Sequence, residues 1–163
     1  MDLVAGPQGS GKSTFFPVAD RGHDSFNVDD RRRKRNGGSS QRIPAGVRQR
    51  VIAEYREFIE EHIRRGNSFS IEVTLGKEIT FEQARRAREA GFRVQLTYVA
   101  AALDDCVDRV ATRLERGGHG VSPAVLRETY TTSMRNLSRA VREFDVVQVY
   151  DNARRARPDD SPE

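Results

Sequence analysis

The chain has 163 residues, which is the size of one ordinary domain. Apolar residues make up 36% of it, enough for one core, but no apolar run is long enough to span a membrane. The first residues resemble neither a signal peptide nor a transit peptide, and the lone Cys106 excludes an internal disulfide framework, so we expect a cytoplasmic protein. The net charge of +4 and the pI of about 9.6 favour an anionic partner.

The amino-terminal part of the sequence predicts short strands around a glycine-rich loop. Residues 3–5 form a very short apolar strand, and the loop that follows leads into a helix that Pro17 soon interrupts. Residues 26–28 predict a second brief strand, followed by the basic run of residues 31–35. Residues 36–40 are rich in Gly and Ser and predict a loop.

In the middle of the chain, helical and strand patterns alternate. Apolar residues at helical spacing predict helices over residues 47–65 and 79–90, each ended by a glycine. Alternating apolar residues predict strands over residues 69–73 and 92–98. The second of these strands has a polar face of Arg93, Gln95 and Thr97, so we expect it to be partly exposed.

The carboxyl-terminal part predicts two helices and a last strand. Asp104 is expected to cap a helix that runs to Arg116, with Cys106, Val107, Val110, Ala111 and Leu114 facing inward. Ser122 and Pro123 begin the next helix in the favoured order of cap and first-turn proline. Its apolar face carries Leu126, Tyr130, Met134, Leu137 and Val141, and residues 146–150 form the last strand.

Alternating strands and helices indicate an α/β fold with a mostly parallel sheet. The sequence contains no internal repeat and no linker that would divide it. We therefore expect one domain over residues 1–152 and a flexible polar tail over residues 153–163.

The strongest functional signal is the segment Gly6-Pro7-Gln8-Gly9-Ser10-Gly11-Lys12-Ser13, which matches the complete P-loop pattern between a strand and a helix. Its glycines allow the backbone N–H groups to surround an anion, and the following helix adds its positive end. Lys12 is expected to reach the β- and γ-phosphates of a nucleotide, and the Ser13 hydroxyl to bind Mg²⁺.

The P-loop indicates the phosphate donor but leaves the acceptor open. No long apolar strand ends in Asp-Glu, as a motor-type ATPase would require, and the switch elements of a GTPase are missing. The small size of the chain therefore favours a kinase of a small acceptor.

Several motifs together resemble the zeta toxin family of kinases. They are Ala5-Gly6-Pro7-Gln8-Gly9-Ser10-Gly11-Lys12-Ser13-Thr14, Phe26-Asn27-Val28-Asp29, Glu72-Val73-Thr74-Leu75, the strand at residues 91–98, Arg109 and Arg113 followed by Gly117-Gly118-His119-Gly120-Val121-Ser122-Pro123, then Tyr130, Ser133, Asn136 and Leu137, and finally Tyr150-Asp151-Asn152. The resemblance covers nearly the whole chain. It departs from the family at Val73, where the family has a threonine, and in the basic segment after Asp29.

The resemblance implies an ATP- and Mg²⁺-dependent kinase that acts on a sugar hydroxyl of UDP-N-acetylglucosamine or a related UDP-sugar. It implies a three-layer α/β fold of the P-loop NTPase and nucleoside-kinase type, with a mostly parallel five-stranded sheet and an Arg-rich helical lid. It also implies a bacterial toxin–antitoxin pair, in which a small helical antitoxin covers the nucleotide site.

The resemblance also suggests roles for individual residues. Asp29 is the expected base, assisted by Lys12 and Arg113; the alternative is a helix or turn cap, and Asp30 could serve equally. Acceptor contacts are expected from Arg32, Glu72 and Thr74, although Glu72 also fits a strand-end residue paired with a surface arginine. The expected nucleotide-binding residues are Gly6, Gln8, Gly9, Ser10, Gly11, Lys12, Ser13, Thr14, Arg109, Arg113 and Arg116.

Two arginine groups have alternative interpretations. Arg109, Arg113 and Arg116 lie at helical spacing before a glycine-rich break, which favours a phosphate-binding lid over a solvated basic face. The run of residues 31–35 is typical of a solvated face, but it could also bind the diphosphate of an acceptor or RNA. Two alternative functions therefore stay open: a nucleotide-dependent polyanion-binding module, and a kinase of another metabolite or of a nucleic-acid end. No Cys and His cluster has metal-ligand spacing, and Cys106 fits a helix core.

Overall fold

The computed structural model describes residues 1–118 and 120–153. These residues form a five-stranded sheet in which all neighbouring strands are parallel. The strands are β1 (Asp2–Ala5), β2 (Asp24–Phe26), β3 (Phe69–Val73), β4 (Gln95–Ala100) and β5 (Val146–Asp151), in the spatial order β2-β3-β1-β4-β5. The predicted α/β class and mostly parallel five-stranded sheet are confirmed.

Six α-helices and one 3₁₀ turn connect the strands in the described part of the chain. They are α1 (Lys12–Phe15), the 3₁₀ turn (Val18–Arg21), α2 (Val28–Arg35), α3 (Ala45–Arg65), α4 (Glu78–Glu89), α5 (Leu103–Glu115) and α6 (Pro123–Glu143). As predicted, the Ser122 side chain caps α6 by accepting a hydrogen bond from the backbone N–H of Val125. None of these helices is long and apolar enough to cross a membrane.

The main hydrophobic core lies between one face of the sheet and the long helices. Leu3, Ile71 and Leu96 point from the three central strands into this core, where they join Ile59 of α3 and Phe81 of α4. Because side chains alternate along a strand, the intervening residues face the other side of the sheet. On that side, Val18 and Cys106 are also buried.

The strand order places a crevice beside β1. The chain first builds β2 and β3 on one side of β1 and then β4 and β5 on the other, so the winding direction reverses at β1. In open parallel sheets, ligands bind at such a switch point, at the carboxyl ends of the strands. The glycine-rich loop leaves β1 at this end.

The structure corrects the predicted second strand. β2 ends at Phe26, and Asn27 and Val28 belong to the start of α2. The Asn27 side chain accepts hydrogen bonds from the backbone N–H groups of Asp29 and Asp30, so it caps the helix instead of extending the strand.

The fourth strand begins at Gln95 and not at residue 92. Arg93 and Gln95 of its polar face are exposed, as expected, whereas Thr97 is only 6% exposed and its hydroxyl is bonded by the Arg21 guanidinium at 2.7 Å. One further sequence prediction is wrong. The cap of α5 is Ala102, and Asp104 lies in its first turn.

Some residues predicted to face the core are exposed instead. In α5 and α6 these are Ala111, Leu114 and Val141. On the same helices, Cys106, Val110 and Leu126 are buried as predicted. The predicted tail lies outside the described residues from residue 154 onward.

Candidate functional site

The P-loop connects the carboxyl end of β1 to α1 at the crevice. Gly9 and Gly11 have φ angles of +81° and +93°, a region that favours glycine. A Cβ atom at Gly9 would lie only 2.6 Å from the carbonyl oxygen of Cys106 in α5. The loop is thus tightly folded against α5, and left-handed residues in such a loop turn successive N–H groups toward one concave side.

Side chains from distant parts of the chain hold the carbonyl groups of this loop. Arg109 Nη1 donates to the Gly9 carbonyl at 3.2 Å, and Asn152 Nδ2 donates to the Ser10 carbonyl at 2.8 Å. Arg109 Nη2 also donates to the Asn152 carbonyl at 3.1 Å, which joins the two supports. These contacts hold two carbonyl groups of the loop in place.

A charged cluster lies at the start of α1. The Ser13 hydroxyl donates to both carboxylate oxygens of Glu72, at 3.0 and 2.9 Å, and Lys12 Nζ lies 3.9 Å from Glu72 Oε1. Burial lowers the pKa of Lys12 and raises the pKa of Glu72, and the attraction between the two charges partly offsets both shifts. Lys12 and Glu72 are therefore poorly solvated charges beside the exposed hydroxyl of Ser13, and an added anion would meet a poorly solvated cation.

Asp29 lies at the opening of the same cluster, in the first turn of α2. Its negative charge raises the pKa of Lys12 and also that of Glu72, which places the three groups within electrostatic reach. The Asp29 side chain is 51% exposed, and its Oδ1 lies 3.4 Å from Arg32 Nη1. Asp29 thus faces solvent at a place that an acceptor can reach.

The three arginines of the predicted lid occupy different positions. Arg109 lies behind the P-loop, where it also pairs with Asp105 at 3.8 Å. The positive charge of Arg113 lowers the pKa of Lys12, so Arg113 lies near the charged cluster although its side chain is exposed. Arg116 lies at the exposed carboxyl end of α5. The structure therefore brings two of the three arginines to the P-loop.

The basic run of residues 31–35 forms most of α2 and is largely paired with carboxylates. Glu54 of α3 pairs with Arg31 at 3.5 Å and with Arg35 at 2.5 Å. Arg32 pairs with Asp29, and Arg33 with Asp30 at 3.8 Å. This pairing favours the interpretation as a solvated, internally balanced face over a polyanion-binding surface. The guanidinium of Arg32 pairs with Asp29 through Nη1. Its Nε atom is buried without a hydrogen-bond partner among the described residues.

The other residues of the predicted nucleotide site lie in the P-loop or on α1. Gly6 and Ser10 are buried in the loop, and Thr14 is exposed on α1. Gln8 Oε1 and Ser10 Oγ are buried without a hydrogen-bond partner in the described part of the chain. Buried polar atoms without partners are rare and often mark a place that a ligand completes.

Thr74 follows β3 at the edge of the crevice. Its backbone carbonyl accepts a hydrogen bond of 2.5 Å from the hydroxyl of Ser133 in α6. The next residue, Leu75, is buried and has a φ angle of +61°, so the chain turns sharply here. The two expected acceptor contacts, Glu72 in β3 and Thr74 directly after it, therefore lie at the carboxyl end of β3, beside β1.

The cysteine and the two described histidines have structural contacts. Cys106 is buried in α5, and burial raises the pKa of its thiol. His62 is buried and bonds the Phe58 carbonyl at 2.7 Å, and His23 bonds the Ser70 hydroxyl at 2.7 Å. His119 lies outside the described residues. No group of three or more His, Cys, Asp or Glu side chains that could hold a metal occurs in residues 1–118 and 120–153.

Sequence reasoning missed the support that Asn152 gives to the P-loop. Asn152 was noted only within the motif that ends the last strand, and Ser10 lies 142 positions away from it. A single sequence carries no signal for such a pair. The motif itself was the available clue, because a polar residue directly after a parallel strand lies at the ligand-binding edge of the sheet.

The strand order, the loop after β1 and the lysine at the start of α1 define the P-loop α/β fold found in kinases. The family model described as an AAA domain matches residues 1–139, so the chain belongs to this family. A search of the curated proteins by sequence gives no match.

Solved structures with the same fold include proteins of several bacteria. The structure of the PezAT chromosomal toxin–antitoxin system of Streptococcus pneumoniae is 16% identical, with 93% of this chain and 68% of that chain covered and a TM-score of 0.67. A putative kinase from Chloroflexus aurantiacus is 17% identical, with coverages of 93% and 88% and a TM-score of 0.64. A sugar kinase from Janibacter is 21% identical, with coverages of 92% and 83% and a TM-score of 0.57. At these identities the similarity confirms the expected fold.

Proposed function

We propose that residues 1–152 form one kinase domain that transfers the γ-phosphoryl group of Mg-ATP to a hydroxyl group of a small acceptor. The observation that carries the proposal is the cluster of Lys12, Ser13, Glu72 and Asp29 at the switch point of the sheet. The cation serves the phosphate donor, and the carboxylates serve to bind and activate a hydroxyl acceptor. The kinases among the structures with this fold support the same reaction.

On the donor side, the N–H groups of the P-loop and the Lys12 ammonium bind the phosphates. The hydroxyl of Ser13 and the carboxylate of Glu72 are hard oxygen donors in contact with each other, so these residues fit Mg²⁺, with Ser13 as its ligand. When bound, Mg²⁺ neutralises charge on the β- and γ-phosphates. Arg113 adds a second positive charge near Lys12, and we assign it to the γ-phosphate.

In the transfer step, the acceptor oxygen forms a bond to the γ-phosphorus. The bond between that phosphorus and the bridging oxygen to the β-phosphate breaks, and ADP leaves. Asp29 accepts the proton of the hydroxyl group. The positive charges of Lys12 and Arg113 assist the transfer by stabilising the negative charge of the phosphoryl group. Because Asp29 is exposed at the opening of the cluster, it is accessible to a hydroxyl that arrives from solvent.

The proposed acceptor is a UDP-sugar such as UDP-N-acetylglucosamine. The zeta-toxin-like motifs support this choice, together with the position of Arg32, Glu72 and Thr74 around the crevice. The buried, unpartnered Nε of Arg32 is suited to an anionic group of such an acceptor. The toxin–antitoxin system among the similar structures supports the further proposal of a small helical antitoxin as partner.

The test compares Asp29→Asn with Asp30→Asn, its neighbour in the same helical turn. Both aspartates are exposed, each pairs with an arginine three residues later, and both backbone N–H groups are bonded by Asn27. We expect Asp29→Asn to lower phosphoryl transfer from γ-labelled ATP by about 10²–10⁴-fold while ATP still binds. Asp30→Asn should stay within a few-fold of the unaltered protein. The opposite ranking would assign the base to Asp30, and equal activities of all three proteins would exclude both.

The acceptor is identified in the same assay by offering UDP-N-acetylglucosamine beside a metabolite pool and RNA. Label on the UDP-sugar that disappears with Lys12→Ala supports both reaction and acceptor. Label only on another component retains the kinase and excludes the UDP-sugar. ATP binding without label anywhere, together with salt-sensitive RNA binding, would contradict the kinase and favour a nucleotide-dependent polyanion-binding module.

A further inference from the structure

Three hydrogen-bonding side chains of α6 have no part in the proposed chemistry so far. Tyr130, Ser133 and Asn136 follow each other at intervals of three residues, so their side chains lie on one side of the helix. Each of them donates a hydrogen bond to a backbone carbonyl outside α6. We call this set of three residues the α6 clamp.

The α6 clamp binds the ends of the two strands that flank β1. Ser133 donates to the Thr74 carbonyl at 2.5 Å and Asn136 Nδ2 donates to the Leu75 carbonyl at 2.9 Å, both after β3. Tyr130 donates to the Ala101 carbonyl at 2.9 Å, after β4. Because β1 lies between β3 and β4, these bonds hold both sides of the crevice into which the P-loop opens.

The hydrogen bonds at Ser133 form a buried chain. A serine hydroxyl has one proton, and Ser133 donates it to the Thr74 carbonyl. The hydroxyl of Tyr98, at 2.8 Å, is therefore the donor to Ser133 Oγ. Ser133 is fully buried, so each of these groups depends on its partner for satisfaction.

The turn after β3 needs an external support. Leu75 is a bulky residue with a φ angle of +61°, a conformation that costs free energy and persists only where surrounding contacts impose it. Its buried side chain and the bonds from Ser133 and Asn136 are those contacts. Three residues before Leu75, Glu72 carries the carboxylate that faces Lys12 and Ser13.

We propose that Ser133 and Asn136 are positioning residues that hold the turn after β3, so that Glu72 and Thr74 face the acceptor. This inference rests on the proposed function, in which these two residues contact the acceptor. The P-loop has its own support from Arg109 and Asn152, so loosening the turn should affect the acceptor more than ATP. Once the acceptor is bound, its hydroxyl still meets the γ-phosphate, so a loosened turn should mainly weaken acceptor binding.

The test uses Asn136→Ala and Asn136→Asp, with Thr131→Ala as the matched control. Asn136→Asp keeps the shape of the side chain and removes the donor. Thr131 lies on the same helix but bonds the Arg127 carbonyl within it. With UDP-N-acetylglucosamine as acceptor, both Asn136 variants should raise the acceptor KM about tenfold and change the ATP KM less than about twofold. Thr131→Ala should change neither constant.

A second measurement follows hydrogen exchange of the backbone amides in the same proteins. Both Asn136 variants should exchange about tenfold faster over residues 74–77, with no change over the P-loop at residues 6–14. Unchanged exchange at the turn would overturn the clamp, whether or not the protein is a kinase. Faster exchange with equal rises in both KM values, or with kcat alone reduced, would overturn the positioning role. If the unaltered protein transfers no phosphate, the proposed function fails, and exchange alone then decides whether the clamp exists.

Discussion

The contact between the P-loop and α5 can be tested by adding one methyl group at Gly9. The change Gly9→Ala places a Cβ atom 2.6 Å from the carbonyl oxygen and 2.9 Å from the Cα atom of Cys106. Both are backbone atoms of a helix, so they cannot move away as a flexible side chain would. The φ angle of +81° adds a second penalty, because the left-handed region is unfavourable for alanine.

The magnitude follows from these two terms. The left-handed conformation costs about 1–2 kcal/mol for an L-residue with a side chain. Inserting a methyl group into a filled space costs about 1–3 kcal/mol more. We therefore expect Gly9→Ala to lower the free energy of unfolding by about 2–5 kcal/mol, a large part of the stability of an ordinary domain.

Gly22→Ala is the matched control. Gly22 has nearly the same φ angle, +78°, but a Cβ atom there would meet nothing within 4 Å. The change in the unfolded chain is the same for both substitutions and cancels in the comparison. Gly22→Ala should therefore lose only about 1–2 kcal/mol, the cost of the left-handed conformation. The difference between the variants isolates the contact of the loop with α5.

Urea unfolding followed by circular dichroism measures both variants, with the slope of the transition as a check that unfolding remains two-state. An equal loss of stability in the two variants would refute the reasoning. It would mean that the P-loop does not pack closely against Cys106. A larger loss for Gly9→Ala should be accompanied by weaker ATP binding, since the loop must shift to make room.

Two further predictions follow from the site. Asn152→Ala removes the donor to the Ser10 carbonyl, so ATP should bind about tenfold more weakly by calorimetry. Asn67 is exposed, so the control variant Asn67→Ala should bind ATP normally. Equal ATP affinities of the two variants would contradict the role of Asn152 in supporting the loop. Burial raises the pKa of Tyr98 to about 12, so its contribution to stability is complete below pH 10 and is lost as the pH rises from 10 through 12. Tyr98→Phe should make the unfolding free energy fall less steeply over this range, and an unchanged slope would contradict the shift.

Local pattern in the sequence determined a large part of the fold. Strand alternation and helical spacing located four of the five strands and the four longest helices, with errors mostly at their ends, whereas the predicted second strand shares only Phe26 with β2. The spacing from Gly6 to Ser13 was sufficient for the phosphate loop, because the left-handed turns and the helix start are properties of neighbouring residues. Ser122 and Pro123 likewise began α6 as predicted, since a cap depends only on the residues beside it.

Local errors arose where two local structures compete. The segment Phe26-Asn27-Val28 suggested a brief strand. The Asn27 side chain instead bonds two backbone N–H groups and starts α2. The polar face of Arg93, Gln95 and Thr97 suggested a partly exposed strand at the edge of the sheet, but β4 lies between β1 and β5, and Thr97 is buried. The residues of one strand do not indicate which strands lie beside it in the sheet.

The tertiary structure alone decided how the site is assembled. Glu72 meets Ser13 across 59 positions, and Arg109 meets Gly9 across 100. Similarly, Glu54 pairs with Arg31 and Arg35, which gives the basic run a structural explanation. Such contacts depend on strand order and on how helices cross the sheet, and these are set by the packing of the whole core rather than by any short segment.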